Sequence, residues 1–140
     1  MSMKTNTELI QSLTDFIGPS QLACLKGLLR GEEGDWFKMK LSEIASLIAT
    51  MATTGQQDGK GDQAIVYLHY FVGGCDWWIT EKDIGFADDA HGTGQIQAFG
   101  LVDLGYGPEL GYISLPEVFS VGAELDLHWK IKTLAELKSK

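Results

Sequence analysis

A chain of 140 residues, 44% hydrophobic and 21% charged, has the size and composition of one globular domain with a single core. It contains no apolar run near the roughly 20 residues that cross a bilayer, so no membrane role is expected. Its net charge of −8 is uneven, −1 over residues 1–57, −10 over 58–129 and +3 over 130–140, and so acidic a centre repels a nucleic-acid backbone. Direct DNA or RNA binding is therefore not expected, which leaves a basic partner, a cation or plain solubility as the use of that charge.

The N-terminal stretch MSMKTNTELIQSL lacks the basic start and apolar core of a signal peptide, so a cytoplasmic location is expected. Asn6 or Thr7 caps a first predicted helix reaching about residue 16, with Leu9, Leu13 and Phe16 on one face. Gly18-Pro19-Ser20 breaks it, and a second helix over about 20–30 carries Leu22, Leu25, Leu28 and Leu29. After the acidic turn Gly31-Glu32-Glu33-Gly34, Trp36 and Phe37 lead into a third helix over about 38–51, striped by Leu41, Ile44, Ala45 and Ile48. Such stripes are read as core, because each helix must bury its apolar side somewhere. Residues 53–63, TTGQQDGKGDQ, read as a solvent-exposed linker between a helical part (1–57) and a sheet part (58–140) of a single domain. Their aspartates lack the ordered ligand spacing of a calcium loop.

The sheet opens with AIVYLHYFVGGCDWWITEKD, two strands folded back at Gly73-Gly74. Ala64, Val66, Leu68 and Tyr70 alternate with Ile65, Tyr67, His69 and Phe71, and both sets are largely apolar, the pattern of a strand covered on both faces. Trp77 and Trp78 are consecutive and so face opposite sides. One belongs to the core; the other meets a second layer or marks a binding surface. Residues 85–94, GFADDAHGTG, read as a loop, followed by a third strand over 96–104 and the turn Gly105-Tyr106-Gly107-Pro108. A fourth strand spans 109–114. Ser114 and Glu117 then form a capping box for a short helix ended by Gly122, a last strand covers 124–129, and Thr133 and Glu136 cap a C-terminal turn.

Three histidines allow each to be weighed. His69 and His128 sit in matching contexts, Leu68-His69-Tyr70 and Leu127-His128-Trp129. With Asp126 or Asp76 they could build a metal or acid–base site, or simply be half-buried rings bonded to carbonyls or carboxylates. His91 reads as a loop residue. No GxSxG or phosphate-loop motif is present, and Cys24 and Cys75 read as free thiols, Cys75 beside an acid that raises a thiol pKa. Glu81 and Asp83 at a strand end could pair as catalytic carboxylates, though charges flanking a strand end need no such role.

The ordered motifs AIVYLHYF, DWWITEKD, QAFGL, ELGYISLPE and ELDLHW, followed by KTLAEL, resemble a bacterial family defined only as a domain of unknown function. The likeness covers about residues 25–137. It implies an accessory protein of plasmids, phages and integrated elements, and it brings no catalytic residues to carry over.

The expected fold is α+β, with N-terminal helices packed on a mainly antiparallel sheet of four or five strands and short C-terminal helices. The expected function is a non-enzymatic binding protein of mobile elements. Its acidic sheet surface would engage a basic protein, with Trp77, Trp78, Glu81 and Asp83 as contacts and no cofactor or metal. Its extreme form is mimicry of DNA charge against a nucleic-acid-binding host protein. The alternative is a small metal-dependent hydrolase or nuclease using His69, His128 and Asp126, with Glu81 a further catalytic candidate. A homodimer through an exposed tryptophan face is a third possibility.

Overall fold

The stripes and breakers of the first fifty residues fold as three helices, α1 (Asn6–Ser12), α2 (Pro19–Leu29) and α3 (Gly34–Thr50), in a computed structural model that describes residues 5–83, 95 and 97–139. Thr5 caps α1 in a reciprocal box with Glu8, one residue ahead of the expected cap. The helix stops at Ser12, yet Phe16 and Ile17 beyond it are still buried. Pro19 fits the first turn of α2, where its missing N–H would have no partner anyway. The third helix begins at Gly34 and takes Trp36 and Phe37 into its first turn.

The sheet part contains β1 (Ile65–Val66), β2 (Leu68–Val72), β3 (Cys75–Glu81), β4 (Ala98–Asp103), β5 (Pro108–Ile113), β6 (Glu124–Leu125) and β7 (Lys132–Thr133). Two short helices, α4 (Leu115–Ser120) and α5 (Leu134–Lys138), complete an α+β fold. Five strands form one antiparallel sheet in the order β5-β4-β3-β2-β6, and β1 pairs separately with β7. At the β3–β4 crossing, where the register shifts between Ile79 and Glu81, a Cβ on Gly100 would lie 2.0 Å from the Trp78 carbonyl oxygen. Only glycine lets the strands approach so closely.

Both faces of the sheet are covered, by unequal layers. Leu68, Tyr70, Trp77, Ile79, Ala98 and Ile113 pack with Leu13, Ile17, Leu41 and other helix residues in the main core. The Tyr70 hydroxyl donates to the Phe16 carbonyl and so fastens the helical layer to the sheet. A smaller cluster of Ala64, Val66, Leu101 and Leu134, with Trp78, Trp129 and Leu137 against it, covers part of the opposite face.

Three expectations are corrected. The strand over 64–71 is broken at Tyr67, so Ala64 and Val66 pack in the small cluster while Leu68 and Tyr70 pack in the main core. The strand over 124–129 ends at Leu125, because the Asp126 side chain accepts the His128 N–H and turns the chain. Residues 53–63 are no free linker. Thr53 bridges Lys82, and the buried Gln57 amide bonds the Ile65 N–H, the Ile65 carbonyl and the Thr80 carbonyl. His91 and the Gly92-Thr93-Gly94 stretch lie outside the described residues. Among the described residues no helix is long and apolar enough to cross a membrane.

Candidate functional site

Strand alternation puts His69 on the face of β2 away from the helices, opposite Trp78 of β3. Two residues along β3, Asp76 lies on the same face and diagonal to the histidine. The chain leaving β6 brings in the third member, because the Asp126 N–H donates to the His69 carbonyl, placing its side chain beside the ring. His69 Nε2 then stands 2.8 Å from Asp76 Oδ1, and Nδ1 stands 3.0 Å from Asp126 Oδ2. Each ring nitrogen thus has a carboxylate oxygen within hydrogen-bond distance, and the tautomer sets which of them donates.

Aromatic rings close the histidine in. The Trp78 ring stacks on it at 5.5 Å with 9° between planes, and Phe71 and Trp129 lie at 5.8 and 5.2 Å. Trp129 is itself fixed by an Nε1–H bond to the Val66 carbonyl, and Lys132 Nζ sits 4.9 Å above its ring. Chemically the arrangement is a clamp that ties the segment after β6 to the sheet. Both ring nitrogens are taken up by carboxylates of the fold itself.

The face continues toward the end of the sheet as an acidic, aromatic strip. Asp76 is the direct register partner of Asp103 on β4, two like charges side by side. Asp103 Oδ1 accepts the Gly105 N–H, which shapes the turn into β5. Phe71, Leu104 and Tyr106 are exposed around this end, Tyr106 almost completely. Among the described residues no lysine or arginine forms an ion pair with Asp76, Asp103, Glu109 or Glu124. Asp103 is not singled out by the sequence, because its place beside Asp76 depends on the β3–β4 register, which strand alternation alone does not give.

The other residues singled out from the sequence separate. His128 is exposed, its ring 5.8 Å from that of Trp36, while His69 meets Trp78, Phe71 and Trp129. Trp77 is buried in the main core and so offers no contact surface, and Trp78 is half-buried under the C-terminal segment. Glu81, 3% exposed, is a structural acceptor: its oxygens take the N–H groups of Gly55 at 2.8 Å and Gln57 at 2.6 Å. Asp83 joins the same end of β3 to the start of β4, receiving the Gln97 N–H while its own N–H and carbonyl bond the Gln95 amide. Glu81 and Asp83 are thus engaged by backbone and amide groups, not set as a catalytic pair. Between them, Lys82 donates from Nζ to the Ile48 carbonyl, and burial lowers its pKa. Cys24 and Cys75 are free thiols, as read. Among the described residues no group of three or more histidine, cysteine or acidic side chains could hold a metal ion.

A family model described as a protein of unknown function (DUF2958) matches residues 39–134, within the span of the motif resemblance. No curated protein and no solved structure matches the chain.

Proposed function

The chain belongs to the DUF2958 family of proteins of unknown function, and for this member we propose a non-enzymatic binding role in the cytoplasm, in which the acidic end of the sheet's outer face engages a basic protein. The Asp76–Asp103 pair carries the reading. Like charges directly opposite on neighbouring strands weaken a sheet, and among the described residues the one basic side chain within ion-pair distance of either carboxylate is His69, against Asp76. Exposed Phe71, Leu104 and Tyr106 beside them give a partner apolar area as well as charge. An accessory role on a mobile element is part of the proposal through the motif resemblance alone.

Charge mimicry of DNA has less support. Glu81 is buried, and Asp83 and Asp126 are bound within the fold, so the −10 of residues 58–129 does not stand on the surface as a row. The hydrolase reading has His69 Nδ1 at 3.0 Å from Asp126 in its favour, but Nε2 faces a second carboxylate, Asp76, and the His128 ring packs by Trp36.

Titrating an oligolysine peptide into isotope-labelled protein tests the proposal. Amide shifts are expected around Asp76 and Asp103, fading at high salt and lost in the Asp76→Asn/Asp103→Asn variant. Binding that ignores both salt and the double substitution would overturn it.

A further inference from the structure

The two edges of the five-stranded sheet are finished differently. At β6, the Gln21 side chain from α2 accepts the Leu125 N–H at 2.8 Å and donates to the Leu125 carbonyl at 2.9 Å. One amide group thereby completes that edge much as a neighbouring strand would. At the other edge β5 runs for six residues, and among the described residues nothing but β4 bonds its backbone.

An open edge presents unpaired N–H and C=O groups at every second residue, and proteins usually blunt it with lysines, bulges, brevity or a covering element. Among the described residues β5 has Pro108 and the charged Glu109 at its start, and no lysine, bulge or covering element further along. Its side chains are graded by face. Leu110 and Tyr112 stand exposed on the outer face, Tyr112 edge-on to Phe99 at 5.4 Å. Glu109 and Gly111 alternate with them, and no atom lies within 4 Å of where a Gly111 Cβ would be.

We propose that β5 receives an extended segment of a basic protein as an added antiparallel or parallel strand. The segment alternates apolar residues, which lie over Leu110 and Tyr112, with lysines or arginines beside Glu109 and in the open space at Gly111. Backbone bonds along the edge supply affinity, and the alternating side chains supply selectivity. The inference rests on the binding role proposed above and names the form its partner takes. A second copy fits less well. Six paired residues bury far less than the roughly 1,200–2,000 Å² of a stable dimer, and each copy brings a net charge of −8 and its own Glu109 to the seam.

The probe is an end-capped peptide of alternating lysine and valine, with two analogues N-methylated on all valines or on all lysines. Residues of a strand direct their N–H groups alternately to its two edges, so one analogue should lose about tenfold or more in affinity and the other should not. Amide shifts and slowed exchange should centre on residues 108–113. Gly111→Lys, at a position with room for the side chain, should abolish binding while leaving the thermal melt unchanged. Equal binding of both analogues, or full binding by Gly111→Lys, overturns the edge-strand inference. The acidic-face reading survives that result if oligolysine still binds in a salt-sensitive, Asp76/Asp103-dependent way, and falls with it if no basic peptide binds. Peptide-independent dimerisation that Gly111→Lys abolishes would assign the edge to a second copy and also overturn the inference.

Discussion

His69 shows how one side chain serves both a strand and the segment that crosses it. Its two nitrogens satisfy two carboxylates that are only partly in solvent, and its ring fills the space between Trp78 and Trp129. His69→Ala removes the contacts to both carboxylates and the ring, and should cost about 1–3 kcal/mol in a urea titration. His69→Phe keeps a stacking surface without donors, so the difference between the two variants separates ring packing from hydrogen bonding. Equal stability of wild type and His69→Ala would show that the clamp holds nothing. Tyr70 carries a pH prediction. Full burial holds its phenol far above its ordinary range, so the native protein keeps a proton that the unfolded chain releases near pH 10. Above that pH the unfolded state binds fewer protons, and stability falls as pH rises, by up to about 1.4 kcal/mol per unit. Tyr70→Phe should remove this slope relative to wild type while costing about 1 kcal/mol at neutral pH, through the unpaired Phe16 carbonyl. Lys82, whose lowered pKa works in the opposite direction, is common to both proteins and cancels in the comparison.

At the level of elements, residues 53–63 are held by two side chains that look unremarkable in sequence. The Glu81 carboxylate takes two backbone N–H groups, and Gln57 makes three bonds to β1 and β3 backbone. Glu81→Gln leaves one oxygen to do the work of two and should cost about 1–2 kcal/mol. Limited proteolysis should then cut within 53–63 well before the rest of the chain; an unchanged cleavage pattern would argue against the tether. The same elements show what the sequence made legible. Helical stripes at Leu9, Leu13, Leu41, Ile44 and Ile48, the Thr133–Glu136 box and the Gly73-Gly74 hairpin all come from local periodicity or turn chemistry, and they are found where that chemistry puts them. The break at Tyr67, the β1–β7 pair and the Gln57 and Gln21 bonds depend on partners up to 104 residues away, which no local pattern encodes. The site was half legible for the same reason. Asp76 and Asp126 could be named as partners of His69, but which tryptophan was covered depended on a C-terminal segment that reads as strand and folds as a turn.

For the molecule as a whole, these long-range ties bear on whether the helical and sheet parts can come apart. The main core draws on α1, α2, α3 and the sheet together, and Tyr70 bonds across the boundary to the chain between α1 and α2. Further ties run from Gln21 to β6, from Lys82 to the end of α3, and from Ala52 and Thr54 to Lys82. Separating the layers would expose the buried stripes of all three helices and the sheet face beneath them at once, leaving the helical part no core and the sheet part only the small cluster around Val66 and Leu134. Unfolding should therefore be a single transition. Far-UV circular dichroism reports mainly the helices, whereas Trp77, Trp78 and Trp129 report the two faces of the sheet and Trp36 the start of α3. Urea titrations followed by the two signals should superimpose, with one midpoint and one slope, and residues 1–57 expressed alone should be largely unfolded. A fluorescence midpoint separated from the dichroism midpoint would instead make the helices and the sheet two independently stable units, and Phe16–Tyr70 a contact between them that neither requires.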